Sequence, residues 1–290
     1  MGGIIGEFRR RLSLTAELVA FPHTIFALPF AFMGMLLGSA GKPAPWQVFW
    51  ITVAMAGART AAMSFNRLAD LRFDAANPRT RGRPLPSGRI SVPWAITVLV
   101  VSVGVFLAAC MALSPLCLAL SPLALGIVLG YSFTKRFTWL SHMFLGLSLA
   151  VAPVGAWIAV SGPWSTVPVL IALAVLCWTA GFDIIYACQD VGFDRGQGLR
   201  SIPARFGIPA ALILSAALHG VMVLALIMVA VEAGLGLAFY AGLTLTTVAL
   251  IYEHAIVRPD DLSRVNLAFF SLNGWISVAL LVATLLDLLL

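Results

Sequence analysis

Long apolar runs separated by short polar segments extend along almost the whole chain. The runs are continuously apolar rather than alternating, which predicts membrane-spanning helices and argues against the strands of an outer-membrane barrel. The pattern therefore predicts an all-α integral membrane protein. Its topology depends on a break at Ser114 and Pro115, between the third and fourth runs. Nine runs are long enough to span a bilayer: residues 14–39, 46–65, 93–113, 114–134, 141–160, 166–187, 209–230, 234–256 and 268–289.

The composition agrees with this class, because 61% of the residues are hydrophobic and only 10% are charged. Soluble domains carry roughly a quarter charged residues. The first apolar run exceeds the roughly 7 to 15 residues of a signal-peptide core, so we expect a retained first span. The four cysteines have no CxxC spacing, which predicts no structural disulfide and no zinc site.

Lysine and arginine collect on alternate sides of the predicted helices. Only Lys42 falls in an opposite loop, and Arg59 lies inside the second run. The positive-inside rule then places the amino terminus and the basic loops in the cytoplasm, with the helices in the cell (inner) membrane. Topology thus explains the net charge of +6 without a nucleic-acid partner. The other 16 of the 18 basic residues are Arg9, Arg10, Arg11, Arg67, Arg72, Arg79, Arg81, Arg83, Arg89, Lys135, Arg136, Arg195, Arg200, Arg205, Arg258 and Arg264.

Two polar stretches interrupt this apolar background and echo each other. NRLADLRFD ends at Asp74 and YACQDVGFD ends at Asp194, so Asp70 and Asp74 recur 120 positions later as Asp190 and Asp194. The echo predicts two pseudo-repeated four-helix halves, at 14–134 and 141–256, plus a ninth helix, within a single domain of residues 1–290. Sites in duplicated membrane proteins commonly lie at the repeat interface, so we expect both stretches to face one central cavity.

Carboxylates spaced at i, i+4 on a helix share one face, where like charges repel and burial is costly. A cation between the two stretches would relieve this repulsion, and Mg²⁺ suits hard oxygen ligands together with substrate phosphates. The nearby basic side chains indicate a substrate such as a diphosphate, gripped by charge-assisted hydrogen bonds. A diphosphate at the end of a membrane bundle suggests a lipid substrate. The candidate diphosphate-binding residues are Arg79, Arg81, Arg83, Lys135 and Arg205.

Three segments together resemble the signature regions of the UbiA family of intramembrane aromatic prenyltransferases. They are NRLADLRFDAANPRTRGRPLPSG, YSFTKR and DIIYACQDVGFDRGQGLRSIPARFG. The resemblance covers nearly the whole chain. It implies a helical bundle around a lipid-open cavity, Mg²⁺ held by both Asp-rich motifs, and transfer of a polyprenyl group from a polyprenyl diphosphate to an aromatic quinone precursor.

The resemblance also implies roles for individual residues. The first family motif, NDxxDxxxD, carries Arg67 here at its second position, which removes one potential metal ligand. By the same comparison, the catalytic positions are Asp183, Tyr186, Tyr131 and Lys135. The implied metal ligands are Asn66, Asp70, Asp74, Asp190 and Asp194.

The aromatic acceptor is less constrained by the motifs. Arg136, Arg59 and His23 are candidate acceptor-binding residues, because an arginine could hold the carboxylate of an aromatic acid. The first-helix sequence PHTIFALPFAFMGMLL resembles members of the futalosine route to menaquinone more than ubiquinone-pathway members. Both 4-hydroxybenzoate and a 1,4-dihydroxy-6-naphthoate type of acid remain open. His142, His219 and His254 lack ligand spacing and are interpreted as interfacial or packing residues.

Two other classes of function compete with this interpretation. A secondary transporter would also have duplicated halves, but it usually holds its site near the membrane midplane, whereas these carboxylates lie at helix ends among basic residues. Another Mg²⁺-dependent membrane transferase, such as a CDP-alcohol phosphotransferase, would need a contiguous DGxxAR motif that the chain lacks. The sequence indicates the two substrates and the lipid bilayer as partners, with no nucleic acid and no obligate protein partner.

Overall fold

Helices account for nearly all of the secondary structure in the computed structural model, which describes residues 13–19, 26–161 and 165–290. Residues 13–18 are helical. The named helices that follow are α1 Leu28–Gly38, α2 Pro45–Ala69, α3 Leu71–Ala76, α4 Val92–Leu113, α5 Pro115–Gly130, α6 Ser141–Ser161, α7 Thr166–Ala187, α8 Val191–Gly196, α9 Ile202–Phe206, α10 Ile208–Ala233, α11 Leu237–Ile256 and α12 Asn273–Leu289. Short 3₁₀ segments cover Tyr131–Arg136 and Cys188–Asp190, and a π-helical turn covers Leu267–Leu272.

Within the described part of the chain, seven helical segments are long and apolar enough to cross a membrane. They include α2, α4, α6 and α10, α5 with its 3₁₀ extension, α7 continued through α8, and α12 with the π turn before it. The all-α membrane class is therefore confirmed, but the predicted count of nine is not. The first predicted run has a described apolar helix of 11 residues, α1, and α11 is helical without reaching the hydropathy of a span.

Proline and serine mark the helix starts, as their backbone chemistry dictates. Ser114 separates α4 from α5, and its side-chain oxygen accepts a hydrogen bond from the backbone N–H of Cys117 at 3.1 Å. Pro115 occupies the first helical position, where its missing N–H is not needed. The predicted break at these two residues is confirmed.

Helix α7 is the most buried span and packs against both α6 and α10. Its Trp178 is fully buried, with ring-centroid distances of 5.0 Å to Phe30 and 4.9 Å to Phe182. The indole Nε1–H donates to Asn273 Oδ1 at 2.6 Å. Asn273 in turn donates to the carbonyl of Ala268 at 3.0 Å, inside the π turn. These contacts hold the second half of α7 against α1 and the π turn.

Close packing between α6 and α7 depends on a glycine. A Cβ atom on Gly146 would lie 2.4 Å from the carbonyl oxygen of Leu176, which is far inside normal contact. Gly155, on the same helix, has nothing within 4 Å of such an atom. The packing of α6 on α7 therefore requires glycine at position 146 but not at position 155.

We expect Gly146→Ala to destabilise the protein by about 1–3 kcal/mol, the usual cost of overpacking, because the methyl group forces α6 away from α7. Gly155→Ala is the matched control and should leave stability nearly unchanged. The measurement is the thermal unfolding midpoint of each purified variant in detergent. Equal midpoints for the two variants would contradict the close approach.

Candidate active site

The two acidic stretches adopt the same local backbone conformation. Asp70 follows the end of α2 with φ −96° and ψ 7°, and Asp190 precedes α8 with φ −101° and ψ 3°. A six-residue helix follows each of them and carries the second aspartate, Asp74 in α3 and Asp194 in α8. The sequence echo thus corresponds to a repeated turn from a long helix into a short one.

Both stretches line one cavity of about 300 Å³, which we call the polar cavity. The sequence-predicted residues that line it are Asn66, Asp70, Asp74, Arg79, Arg83, Tyr131, Lys135, Asp183, Tyr186, Asp190 and Asp194, together with Arg59 and Arg136. Three predicted site residues are not among its lining: Arg81, Arg205 and His23, the last of which lies outside the described residues.

Asp190 is held mainly by one arginine from the loop after α3. Arg79 donates from Nε to Oδ1 at 3.0 Å and from Nη2 to Oδ2 at 2.6 Å, which is the bidentate geometry that suits a carboxylate. Its Nη1 also donates to the hydroxyl of Tyr186 at 2.7 Å. Burial is the largest single influence and would lower the pKa of Arg79, but the hydrogen bonds to Asp190 together with the charges of Tyr186, Asp190 and Asp74 outweigh it, and the pKa is raised above its ordinary value.

Asp74 is buried and paired with two arginines. Arg83 Nη1 donates to both carboxylate oxygens, at 2.8 and 3.0 Å. Arg67 Nη1 lies 3.8 Å from Oδ2, and its Nε donates to the carbonyl of Leu18 at 3.4 Å. The residue that departs from the family motif thus places a cation beside Asp74 and joins α2 to residues 13–19.

Asp194 and Asp70 take their partners from the segment between α5 and α6 and from neighbouring turns. Lys135 Nζ donates to Asp194 Oδ2 at 3.2 Å, and Ser201 Oγ donates to the same oxygen at 2.8 Å. Asp70 accepts from Asn66 Nδ2 at 3.0 Å and from Arg136 Nη2 at 3.3 Å.

Burial also affects the ionisation of the Asp70 carboxyl. Burial raises the pKa of Asp70 above its usual value, and the hydrogen bond from Arg136 opposes that rise. Arg136 also donates to the carbonyl of Ala69 at 2.6 Å, and its guanidinium lies 4.8 Å from the ring centroid of Phe133. Its observed contacts therefore cap α2 and neutralise Asp70.

Two of the predicted diphosphate-binding arginines lie elsewhere. Arg205 is exposed, and its guanidinium lies 5.5 Å from the ring centroid of Trp139 and 5.3 Å from that of Phe206. Arg81 is exposed in the loop between Arg79 and Arg83. Only the two flanking arginines of that loop reach the polar cavity.

The donor chemistry of the polar cavity fits a hard divalent cation, because four aspartates from two motifs line it. Each of these carboxylates is paired with a basic side chain. Among the described residues no group of three His, Cys, Asp or Glu side chains has metal-binding spacing. A metal held by both motifs would therefore have to compete with the arginines and lysine that now hold the carboxylates.

A contact with the site that the sequence pattern did not reveal is made by His142, at the start of α6. The ring is fully buried, and Nδ1 lies 2.6 Å from Oδ2 of Asp183, which lines the polar cavity. The two residues are 41 positions apart, so no spacing in the chain signals the contact.

Unpaired polar atoms mark the wall of the polar cavity beyond the aspartates. Arg59 Nε, Ser141 Oγ and Thr179 Oγ1 are buried and have no hydrogen-bond partner among the described residues. All three residues line the polar cavity. These three atoms therefore have hydrogen-bonding capacity that no described residue uses.

A second cavity of about 420 Å³ lies among α2, α4, α5 and α6, and we call it the apolar cavity. It reaches Cys110 and Leu113 near the end of α4 and is lined mainly by apolar side chains. The two cavities adjoin, and the side chains that line both are Arg59, Met63, Tyr131, Leu145 and Leu149.

Comparison with known proteins gives consistent matches over most of the chain. The family model described as the UbiA prenyltransferase family matches residues 27–276. A 4-hydroxybenzoate octaprenyltransferase of Xanthomonas campestris pv. campestris (strain B100) is 31% identical over 246 residues, covering 85% of this chain and 81% of its own. Another from Pectobacterium carotovorum subsp. carotovorum (strain PC1) is 30% identical over 252 residues, covering 87% of each chain.

Solved structures share the fold. An apo UbiA homologue from Aeropyrum pernix K1 matches with a TM-score of 0.84 at 36% identity, covering 91% of this chain and 98% of its own. A UbiA homologue from Archaeoglobus fulgidus bound to DMAPP and Mg²⁺ matches with a TM-score of 0.74 at 19% identity, covering 95% of this chain and 99% of its own.

The different positions of Arg79 and Arg81 predict different effects on anion binding. We expect Arg79→Ala to weaken binding of inorganic diphosphate in the presence of Mg²⁺ by roughly 10- to 100-fold, the effect of losing a charge-assisted hydrogen bond. Arg81→Ala is the matched control from the same loop and should bind nearly as the wild type does. Isothermal titration of the purified variants measures both, and equal losses would contradict this division of the loop.

Proposed function

Because the chain belongs to the UbiA prenyltransferase family, we propose that it transfers a polyprenyl group from a polyprenyl diphosphate to a ring carbon of a hydroxy-aromatic acid in quinone biosynthesis. The observation that carries this proposal is the junction of two unlike cavities. One is lined by aspartates and cations, the other by aliphatic side chains, and Arg59 stands where they meet.

The polar cavity takes the diphosphate. Arg79, Arg83 and Lys135 line it on the side of the paired aspartates, and they donate hydrogen bonds to the diphosphate oxygens as negative charge develops on the leaving group. The residues that would hold Mg²⁺ are Asn66, Asp70, Asp74, Asp190 and Asp194. When bound, Mg²⁺ supplies charge neutralisation at the diphosphate oxygens.

The apolar cavity takes the prenyl chain. Most of its lining consists of leucine, alanine, valine and methionine side chains, and the strongly polar Arg59 and Tyr131 lie where it meets the polar cavity. The apolar part of the lining keeps water away from the reacting carbon. Tyr131 lines both cavities and therefore lies beside the bond that breaks, between the prenyl carbon and the diphosphate oxygen. The departing diphosphate leaves an allylic cation at this junction.

The acceptor enters at the same junction. Arg59 binds its carboxylate, which is supported by the buried Nε that has no partner among the described residues. The electron pair of the ring forms the new carbon–carbon bond to the allylic cation. The ring proton is then lost to Asp183, a cavity-lining carboxylate, and aromaticity returns.

The orientation follows from the charge distribution. Since the basic loops lie on the side of the aspartates, the amino terminus and the polar cavity lie on the cytoplasmic side of the cell (inner) membrane. A transporter is the competing class, and release of diphosphate dependent on an aromatic acid distinguishes the enzyme from it. The acid is of the 4-hydroxybenzoate or the 1,4-dihydroxy-6-naphthoate type, and the two belong to different quinone routes.

The test is mass spectrometry of the products formed by purified protein from geranyl diphosphate, Mg²⁺ and each of the two acids. We expect a prenylated acid from at least one of them. Asp70→Asn and Asp190→Asn should each lower the rate by roughly 100-fold or more, because each removes a negative charge from the cation site. Both variants should remain folded in membranes. Near-normal turnover in either variant would overturn the assignment of these aspartates, and wild-type protein that forms no prenylated product would overturn the function.

Arg59→Leu tests the acceptor site. We expect KM for the aromatic acid to rise by roughly 10- to 100-fold, since a charge-assisted hydrogen bond is lost, while KM for the prenyl diphosphate stays nearly constant. Arg59→Lys keeps the charge and should lose less. A phenol that lacks the carboxylate is the control substrate, and Arg59→Leu should prenylate it as well as the wild type does. An equal loss on both acceptors would show that Arg59 does not bind the carboxylate.

A further inference from the structure

His142 lies behind the wall of the polar cavity rather than inside it. Its ring is fully buried in the first turn of α6. Nδ1 lies 2.6 Å from Asp183 Oδ2, and Nε2 lies 3.3 Å from the backbone nitrogen of Ile202. Both ring nitrogens therefore have partners, one on α7 and one at the start of α9.

These two contacts determine which nitrogen carries the proton. The backbone N–H of Ile202 can only donate, so Nε2 of His142 must accept. In the neutral imidazole the proton is then on Nδ1, which donates to the carboxylate of Asp183. A second proton on Nε2 would face the N–H of Ile202, so the neutral form with this tautomer fits the site.

The hydrogen bond from His142 engages one oxygen of Asp183, Oδ2. Oδ1 accepts no hydrogen bond from a described residue, and Asp183 lines the polar cavity, so we take Oδ1 as the oxygen that serves the cavity. A carboxylate on a rotatable side chain is held in this way in one orientation. A reacting group is often oriented in this way by a second residue, here His142, whose own position is set by a further hydrogen bond.

We propose that His142 is the positioning residue that aims Asp183 at the acceptor ring for the proton-transfer step, a proposal that rests on the proposed function. In that step the ring C–H bond breaks and its electron pair restores the aromatic ring. The proton passes to the free oxygen of Asp183, which later loses it to water. His142 keeps its own proton throughout and donates the same hydrogen bond before and after.

The second contact of the imidazole connects this step to the other acidic motif. Ile202 begins α9, and the preceding residue, Ser201, donates to Asp194. His142 therefore bridges the carboxylate at the acceptor end and the turn that holds Asp194. Buried ring nitrogens need hydrogen bonds in a structural residue as well, so the role of His142 is tested by substitutions that separate the two contacts.

Three substitutions of His142 separate its hydrogen bond to Asp183 from its hydrogen bond to Ile202. In His142→Asn the amide nitrogen takes the place of Nδ1 and keeps the hydrogen bond to Asp183, while the contact with Ile202 is lost. In His142→Gln the longer amide reaches Ile202 but not Asp183. His142→Leu removes both and keeps an apolar side chain of similar bulk.

The experiment measures kcat with geranyl diphosphate and whichever of the two acids the wild type prenylates. We expect His142→Gln and His142→Leu to lower kcat by roughly 10- to 100-fold, the usual effect of losing an orienting partner. KM for geranyl diphosphate should change little. His142→Asn should retain most of the wild-type kcat.

An isotope effect separates positioning from packing. The measurement uses an acceptor deuterated at the ring carbons beside its hydroxyl. His142→Gln and His142→Leu should slow proton transfer so that it limits kcat, and we therefore expect a larger primary isotope effect on kcat than in the wild type. His142→Asn should keep the wild-type isotope effect. If His142→Leu does not fold, the comparison of His142→Asn with His142→Gln carries the test.

Two results would overturn the proposal while leaving the proposed function intact. One is wild-type kcat in His142→Gln. The other is an equal loss in His142→Asn and His142→Gln with an unchanged isotope effect, which would mean that the ring only supports the packing. Absence of any prenylated product from wild-type protein would instead refute the proposed function itself, and this proposal with it.

Discussion

Burying several carboxylates at one end of an apolar helical bundle is the constraint on which the rest of the site depends. A carboxylate removed from water is costly unless a cation or hydrogen-bond donors replace the lost hydration. Here each acidic side chain of the two motifs is matched with a basic one, from the loop after α3 or from the segment between α5 and α6. The pairing fixes those irregular segments against the ends of α2 and α7.

The repeated turn at Asp70 and Asp190 does not produce a symmetric site. Asp190 has a bidentate arginine from the other half of the chain, whereas Asp70 has a neighbouring asparagine and the more exposed Arg136. Arg67 adds a further cation beside Asp74. The first motif therefore has one potential acidic ligand fewer and one positive charge more than the family pattern.

The sequence predicted the parts of the fold and site that depend on local chemistry. The helix-length apolar runs, the break at Ser114 and the matching spacing of the aspartates can all be seen directly in the sequence. It did not distinguish Arg79 from Arg81, because the course of an irregular loop decides which of two near neighbours reaches the cavity. Nor could spacing reveal His142, since packing of α6 on α7 brings it to Asp183.

Unpaired buried atoms give independent information about what the cavity holds. Of the five such side-chain atoms in the described parts of the chain, three belong to residues that line the polar cavity. Leaving each of them unsatisfied costs about 1–3 kcal/mol, and prenyl chains have no group that could satisfy them. The Nε–H of Arg59 is a donor and needs an oxygen acceptor, while the hydroxyls of Ser141 and Thr179 can donate or accept. Arg59 also lines the apolar cavity, whereas Ser141 and Thr179 do not, so of these three residues it is Arg59 that lies at the junction of the two cavities.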